Sequence, residues 1–258
     1  MSKVTGDVLT MKQNKYDDQN FFSAYEQMSR SVKGLEAAGE WHILKELIPD
    51  LKNKNVLDLG CGFGWHCRYA REQKASYVTG VDISDRMIER AREMTRDPLI
   101  TYIKAPIEDI DFSNSQFDVV ISSIAFHYIE SFKSISGKIY NYLKPGGSFV
   151  FSVEHPIFTS NEKQDWYYDE HGNRLHWPVD NYQIEGMRET IFLTENVTKY
   201  HRTISTYINE LIDKGFTLSR VKESFPSDEM LKDPGMKDEN RRPMFLMISA
   251  NKKNQSYE

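Results

Sequence analysis

The sequence predicts an α/β protein built around a parallel sheet, and three observations support this fold class. Short apolar runs alternate with stretches of helical periodicity between residues 55 and 153, and such alternation is typical of βαβ units. One run, Phe117–Ser123, is apolar almost throughout, as a strand buried on both faces should be. The first run leads into a glycine-rich segment at residues 60–64, where sheets of this kind commonly bind ligands.

Two helices are predicted before the first strand. Residues 1–15 are polar and read as a flexible arm. From about Asp18 to Ile48 the apolar residues recur at helical spacing. Gly34 and Gly39 interrupt this pattern, so we expect two helices rather than one.

The alternating region accounts for most of the predicted sheet. Its predicted strands are Asn55–Leu59, Tyr77–Val81, Ile100–Ile103, Phe117–Ser123 and Phe149–Val153. One helix follows the glycine-rich segment to about Gln73, and a second covers Ser84–Arg96 with Ser84 as its N-cap. A third helix ends near Leu143, and Lys144–Gly147 is predicted as a turn.

Residues 155–200 interrupt the alternation. They are rich in Trp, Tyr, His, Asp and Asn and have no clear period, so we predict an inserted cap. Beyond them, Thr203–Lys214 is predicted as a helix with Gly215 at its C′ position, and Phe216–Phe225 and Met244–Ala250 as the last strands. The predicted parts are an N-terminal arm and helical cap (1–50), a core (51–154), the cap insertion (155–200), and a C-terminal helix and strands that complete the sheet (201–258).

Composition excludes several classes of protein. Of 258 residues, 39% are hydrophobic and 28% are charged, which is typical of a globular protein with a sizeable core. No apolar stretch is long enough to span a membrane, and no secretory signal is evident. Two cysteines cannot form a disulfide framework, and a net charge of -5 argues against a nucleic-acid partner. We expect a cytoplasmic monomer or homodimer.

The glycine-rich segment carries the strongest functional signal. Asp58 lies in the first strand and is followed by Gly60, Gly62 and Gly64 before a helix begins. Glycines allow a tight turn and close approach of the backbone to a ligand, and the helix N-terminus presents free amides to an anionic group. A dinucleotide site has G-x-G-x-x-G spacing and a P-loop ends in Gly-Lys-Ser/Thr. This segment has neither pattern.

A second acid stands at the end of the second strand. Asp82 comes 22 residues after Gly60, close to the interval at which α/β nucleoside sites place a carboxylate for the ribose hydroxyls. The alternative is a loop or capping acid before Ser84. Placement at the carboxyl end of a strand favours the ligand role.

Taken together, these motifs resemble those of the class I S-adenosylmethionine-dependent methyltransferases. The resemblance rests on Asp58-x-Gly60-x-Gly62-x-Gly64, Asp82 and Leu143–Gly147. It covers roughly residues 50–155 and is nearest to the small-molecule branch that includes ubiquinone/menaquinone-type enzymes. It implies a Rossmann-like, doubly wound, seven-stranded sheet, mostly parallel with the last strand antiparallel, together with N-terminal helices, a cap after strand five, and S-adenosylmethionine as the cofactor.

The resemblance also implies positions along the cofactor. The glycine loop would lie against its amino-acid part, Asp82 would hold the ribose, and the turn after the third strand would meet the adenine. Many relatives carry Asp where this chain has Pro106, so adenine recognition would fall to Ile107 and Glu108. The implied cofactor-binding residues are Asp58, Gly60, Cys61, Gly62, Gly64, Asp82, Ile83, Met87, Pro106, Ile107, Glu108, Ser122 and Ala125. Arg30 could neutralise the cofactor carboxylate, or be an exposed surface arginine.

Three histidines are candidates for a catalytic base, because imidazole titrates near neutral pH. His127 follows the fourth strand, His155 follows the fifth, and His201 precedes a helix. Glu154 and His155 alternate, so we expect one of them to face the pocket. For each histidine the alternative is a hydrogen-bonded structural or capping role.

Aromatic residues make up 12% of the chain, and many fall in two places. Within residues 155–200 they are Phe158, Trp166, Tyr167, Tyr168, Trp177, Tyr182 and Phe192. With Tyr16, Phe21, Tyr25 and Trp41 of the N-terminal region, they are predicted to form a lid over an aromatic-lined pocket. The alternative is a small satellite core within the insertion.

The predicted function is methyl transfer from S-adenosylmethionine to a small molecule with an aromatic or apolar character, by in-line displacement. The protein would supply binding, orientation and water exclusion, with no metal. One alternative is a non-catalytic regulatory or scaffold protein that binds the cofactor. The other is an NAD(P)-dependent oxidoreductase, against which the glycine spacing argues.

Overall fold

A central seven-stranded sheet organises the protein in a computed structural model, which describes residues 12–193 and 195–254. The strands are β1 (Asn55–Leu59), β2 (Tyr77–Asp82), β3 (Ile100–Lys104), β4 (Phe117–Ser123), β5 (Leu143–Glu154), β6 (Tyr167–Tyr168), β7 (Arg174–His176), β8 (Gly186–Phe192), β9 (Glu195–His201), β10 (Phe216–Glu223) and β11 (Phe245–Lys252). The helices are α1 (Gln19–Glu26), α2 (Ser29–Lys33), α3 (Trp41–Leu47), α4 (Trp65–Glu72), α5 (Asp85–Glu93), α6 (Phe132–Tyr142), α7 (Pro156–Thr159) and α8 (Ile204–Asp213).

The sheet confirms the predicted fold class. Its strand order is β10-β11-β5-β4-β1-β2-β3. The pairs β1–β2, β2–β3, β1–β4 and β4–β5 are parallel, whereas β11 runs antiparallel to both β5 and β10. The order reverses between β1 and β4, and the carboxyl ends of these two strands border the crevice where doubly wound sheets bind ligands.

Local capping explains several helix boundaries. The Ser84 hydroxyl accepts a hydrogen bond from the Met87 amide at 3.1 Å, so α5 starts where the N-cap prediction placed it. Thr203 caps α8 in the same way, and Gly215 has a φ of +94° just beyond its end. The sequence therefore predicted these boundaries from side chains that act within one turn.

The N-terminal region contains three helices where two were predicted. Asp18 caps α1, whose end is followed by Met28 in an extended conformation, and Gly34 ends α2 with a φ of +74°. Helix α3 packs its buried face against β5 and β11. Residues 1–11 of the predicted flexible arm lie outside the described residues, and Lys15–Asp17 forms a short 3-10 turn.

One prediction about the strands was wrong, and the structure adds elements to the cap region. Lys144–Gly147 does not form a turn outside the sheet but belongs to β5. The pairing with β4 shifts register there, because Phe117 pairs with Leu143 whereas Val119 already pairs with Ser148. Residues 155–200, for which no period was found, hold α7 and the hairpins β6–β7 and β8–β9. The side chains of β8 are mostly outside the core, so its hydrophobic alternation is weak.

Candidate functional site

The glycine loop after β1 adopts a conformation that favours glycine. Gly60, Gly62 and Gly64 have φ values of +76°, +49° and +73°. A Cβ on Gly60 would lie 2.5 Å from the Cβ of Ala125, whereas a Cβ on Gly62 would meet no atom within 4 Å. Gly60 therefore permits close contact with the segment after β4, and Gly62 borders open space that a ligand can fill.

Asp82 lies directly against this loop. Its Oδ2 accepts a hydrogen bond from the Gly62 amide and its Oδ1 from the Ser84 amide, each at 2.9 Å. Burial raises the pKa of this carboxyl, and the backbone amides oppose that shift. Each oxygen retains a second lone pair, so the fixed carboxylate can still accept hydrogen bonds from two neighbouring hydroxyls.

Asp58 lies below the loop in β1 and is almost fully buried. Its Oδ2 accepts a hydrogen bond from the Cys67 thiol at 3.2 Å, and its Oδ1 has no partner in the part of the chain that the structure describes. Burial raises the pKa of Asp58 to about 7. Burial likewise raises the pKa of the thiols of Cys61 and Cys67, which form no disulfide. These thiols are therefore poor nucleophiles.

A pocket of about 60 Å³ opens between the loop and the N-terminal helices. Arg30 lines it and is half-buried, so it is not an exposed surface arginine. Its Nη2 lies 3.2 Å from Oε1 of Glu40, which is 1% exposed and also accepts a hydrogen bond from the Ser123 hydroxyl at 2.9 Å. Guanidinium has five N–H donors, so Arg30 retains donors for a bound carboxylate.

Two further residues of the pocket lining, Trp65 and His66, carry polar atoms without a partner among the described residues. Trp65 Nε1 and His66 Nε2 are buried and have no hydrogen-bond partner among residues 12–193 and 195–254. Burial lowers the pKa of His66 to about 4, so its ring is neutral at physiological pH. Because a buried polar group without a partner is destabilising, these atoms are suited to hydrogen-bond a polar ligand.

The residues predicted at the adenine are close together. The Ala105 amide donates to the Asp82 carbonyl at 2.9 Å, which joins the turn after β3 to the end of β2. Met87 is buried against Phe63 of the glycine loop. The remaining predicted members in this region are Ile83, Pro106 and Glu108, all half-buried, and Ile107, which is buried. The turn after β3 therefore lies beside the end of β2, and the contact of these residues with adenine stays a prediction.

The turn after β4 is strained. Ser122 is buried and donates its hydroxyl to the Leu59 carbonyl at 2.7 Å, so its side chain joins β4 to β1. Ile124 has a φ of +54°, which is unusual for a β-branched residue. Strain of this kind is concentrated at functional sites, and the sequence carried no signal for it.

The three candidate histidines have different surroundings. His155 caps α7 through Nδ1, at 3.1 Å from the Ile157 amide, and its Nε2 lies 2.9 Å from Oε1 of Glu223. His201 contacts the Thr159 hydroxyl at 2.8 Å and the Tyr182 carbonyl at 2.9 Å. Both ring nitrogens of each are engaged, which fits the structural alternative for these two residues.

His127 differs from the other two. It is fully buried, its Nδ1 accepts a long hydrogen bond from the Glu154 amide at 3.4 Å, and its Nε2 has no hydrogen-bond partner in the described chain. The Glu154 carboxylate, and not His155, turns toward this ring, with Oε1 at 4.0 Å from Nε2. Of the predicted bases, only His127 has a ring nitrogen without a hydrogen-bond partner in the described chain.

The aromatic residues separate into two groups. Tyr16 makes edge contacts with Tyr25 and Tyr128 at 5.2 and 6.5 Å between ring centroids, and Tyr128 lies on His127 at 4.2 Å. Phe21 contacts Phe192 of the cap at 5.8 Å. This first group packs beside His127, and the lid over an acceptor pocket stays a prediction.

The second group forms a satellite core, which was the alternative reading of the cap. Phe158, Trp166 and Trp177 surround the guanidinium of Arg242 at 4.4, 5.1 and 4.1 Å from their ring centroids. Arg242 is also paired with Glu239 at 2.8 Å. Sequence reasoning missed this arginine, since nothing in its neighbourhood along the chain indicates a contact with the cap.

Neither a metal site nor a membrane span is found in the described part of the chain. No group of three or more His, Cys, Asp or Glu side chains there is arranged to hold a metal ion. No described helix is long and apolar enough to cross a membrane.

Comparisons with known proteins agree with this geometry. Residues 57–151 match the model of a methyltransferase domain. A solved Listeria monocytogenes protein, assigned as an S-adenosylmethionine-dependent methyltransferase, is 54% identical, with a TM-score of 0.82 over 86% of this chain and 100% of that one. An S-adenosylmethionine-dependent methyltransferase from Mesorhizobium loti is 42% identical, with a TM-score of 0.80 over 84% of this chain and 100% of that one.

A third relative extends the similarity along the chain. An uncharacterised protein of Haemophilus influenzae is 34% identical over 244 residues, which are 92% of this chain and 96% of that protein. The glycine loop with Asp82, the sheet order and these full-length similarities agree. The chain belongs to the S-adenosylmethionine-dependent methyltransferases, and S-adenosylmethionine is its cofactor.

Proposed function

We propose that this protein transfers a methyl group to a small-molecule acceptor by in-line displacement. The observation that carries the proposal is the Asp82 carboxylate, fixed by the Gly62 and Ser84 amides beside a loop whose central glycine borders open space. When bound, the cofactor supplies an electrophilic methyl group on a sulfonium. The contribution of the protein is then binding, orientation and exclusion of water.

The residues present fit the cofactor. Asp82 offers lone pairs to the ribose hydroxyls, and Arg30 offers guanidinium donors to the carboxylate of the amino-acid part. Trp65 Nε1 and His66 Nε2 are buried without partners at the same pocket and can meet its polar atoms. Met87 and Ile107 provide the apolar surface expected beside the adenine.

The acceptor would bind beyond the sulfonium, near His127. This end is covered by the rings of Tyr16, Tyr25, Tyr128 and Phe192. Aromatic walls of this kind favour a flat or apolar acceptor, and they exclude water from the transfer step. Glu154 and Lys199 form a neutral pair at its base, with Oε1 and Nζ 2.7 Å apart.

Isothermal titration calorimetry with S-adenosylmethionine and with NADH tests which cofactor the protein binds. We expect binding of the first and none of the second. Asp82→Asn keeps the shape of the side chain but removes its charge, so the affinity should fall by about 10-fold or more. Asp85→Asn, on an exposed side chain three residues away, is the matched control and should bind normally.

Methyl transfer itself is tested with isotopically labelled cofactor and a panel of small-molecule acceptors. Label in any acceptor supports the proposal. Cofactor binding without transfer to any member of a broad panel would favour the non-catalytic scaffold reading, whereas NADH binding alone would favour an oxidoreductase.

A further inference from the structure

His127 has a defined tautomer. Its Nδ1 accepts the hydrogen bond from the Glu154 amide, so Nδ1 carries no proton. A neutral imidazole holds one proton, which must then reside on Nε2. That Nε2–H is buried and has no acceptor in the described chain. The ring thus presents a hydrogen-bond donor, whereas a general base acting through Nε2 would need that nitrogen unprotonated.

Burial keeps the ring neutral, and the charged groups around it act in opposite directions. Glu154 Oε1 lies 4.0 Å from Nε2, but the same oxygen is 2.7 Å from the ammonium of Lys199, which is 1% exposed. Lys199 also donates to Gln164 Oε1 at 2.9 Å, and Gln164 donates to Glu154 Oε2 at 3.2 Å. The other groups that face the ring are Arg30, Arg202 and Tyr128. Burial is the main reason that the pKa of His127 is lowered to about 4. Glu154 opposes this shift, whereas the cations act in the same direction as burial.

We propose that His127 donates a hydrogen bond from Nε2 to an oxygen of the methyl acceptor, and that Lys199 holds the ring in this form by neutralising Glu154. The inference rests on the proposed function, because it places the acceptor beside His127. Aliphatic amines are protonated at neutral pH and have no lone pair to offer, whereas carboxylate, carbonyl and hydroxyl oxygens accept this hydrogen bond. His127 is then a specificity-determining donor, and Lys199 is a positioning residue.

The first experiment needs no acceptor. In protein with ¹⁵N-labelled histidine, NMR chemical shifts report the tautomer and the pKa of each ring, and the spectrum of His127→Gln identifies the His127 signals. We expect the Nε2–H tautomer and no titration between about pH 5 and 8. A proton on Nδ1, or a titration near the ordinary histidine pKa, would overturn the proposal even if methyl transfer were established.

The second experiment tests Lys199. Lys199→Met leaves the Glu154 charge unbalanced beside the ring, so His127 should begin to titrate within that pH range. Lys104→Met is the matched control, because Lys104 forms an equally short pair with Asp85, at 2.7 Å, on the surface. The double variant Lys199→Met/Glu154→Gln removes both charges and should restore a ring that does not titrate. If the His127 ring of the Lys199→Met variant still does not titrate in this range, and the same spectra show that the variant is folded, the role of Lys199 is contradicted.

The third experiment uses turnover. His127→Gln keeps an N–H donor but cannot act as a base, whereas His127→Leu keeps neither function. We expect His127→Gln to retain kcat within about 10-fold of the wild-type value and His127→Leu to lose about 100-fold, with cofactor affinity unchanged in both. Equal losses would overturn the donor role. A wild-type protein that methylates nothing would instead refute the proposed function, while the NMR result would still stand.

Discussion

The cofactor end and the acceptor end of the site are stabilised by different kinds of contact. At the cofactor end, backbone amides of Gly62 and Ser84 hold Asp82 at the carboxyl ends of two neighbouring strands, β1 and β2. At the acceptor end, side chains of the cap hold the sheet. Lys199 pairs with Glu154, and the buried guanidinium of Arg202 donates to backbone carbonyls of Phe126, Ile129 and Glu130.

Because of this difference, the two ends of the site should tolerate different amino-acid substitutions. A backbone-built end depends on a few glycines whose conformations no other residue reproduces without strain. A side-chain-built end depends on partners that are far apart in sequence, and each partner can be exchanged together with its neighbour. Substitutions at the two ends should therefore fail in different ways.

The largest effect is expected for Gly60→Ala, which disrupts the cofactor end. The new Cβ would overlap that of Ala125 at 2.5 Å in a backbone with a φ of +76°. Left-handed strain and overpacking together should lower the free energy of unfolding by about 3 to 4 kcal/mol and abolish cofactor binding. Gly172→Ala, at a φ of +80° with no atom within 4 Å, isolates the strain alone and should cost about 1 kcal/mol. Urea denaturation measures the free energy of unfolding, and calorimetry measures cofactor binding. If the two variants lost equal stability, the overlap with Ala125 would be contradicted.

Arg202→Met should disrupt the acceptor end with the cofactor end intact. The variant leaves several buried carbonyls without a donor, so we expect unfolding to become easier by about 3 kcal/mol and kcat to fall while the cofactor Kd is unchanged. Arg188→Met is the control, because Arg188 donates to carbonyls in exposed contacts and should cost less than about 1 kcal/mol. A large rise in the cofactor Kd of Arg202→Met would show that the two ends are not separable.

Asp58 should make the stability of the cofactor end depend on pH. Its pKa in the folded protein is about 7 instead of 3.8, so the native state binds an extra proton between these values. Stability from this group is therefore present at low pH and is lost as pH rises from about 4 to about 7. Relative to Asp58→Asn, the wild type should lose about 2 kcal/mol across that interval, roughly half of the full linkage value, since the loop relaxes. Urea denaturation at both limits measures the difference, and parallel pH curves for the two proteins would rule out a protonated Asp58.

The smallest effect is expected for Arg242→Met, which tests whether the outer cap is independent of the acceptor end. Loss of the contacts with three aromatic rings and Glu239 should cost about 1 to 2 kcal/mol. Arg90→Met is matched to it, because Arg90 also pairs with a glutamate three residues away but on the surface. Hydrogen exchange should quicken in residues 156–177 and not around His127. Faster exchange both in residues 156–177 and around His127 would show that the two aromatic groups unfold as one unit.

Much of the fold and of the cofactor end could be predicted from the sequence. The bounds of β4 and the N-cap Ser84 were predicted from residues that are close together in the sequence. Asp82 was predicted as a ligand residue from its place at the end of β2, and its hydrogen bond to Gly62 joins residues 20 apart. The antiparallel last strand followed from the family resemblance and is confirmed.

The acceptor end was less predictable because its contacts are long-range. His155 and His201 satisfy both ring nitrogens with partners that only the tertiary structure brings to them, such as Glu223 and Thr159. Lys199 is a buried ammonium on a strand that alternation did not reveal, and its partner Glu154 lies on another strand. No local pattern in the sequence encodes such a pair. The sequence therefore indicated three candidate histidines but not which of them has a ring nitrogen without a partner.

The aromatic cluster around Arg242 also affects how such a protein can be recombined. Its three rings come from the cap insertion, but the cation comes from the segment just before β11. A chimaera that received only residues 155–200 from a relative would place new rings around an unmatched side chain. The unit of inheritance for a new acceptor preference is therefore discontinuous, and a successful graft must carry residues 234–242 with the cap.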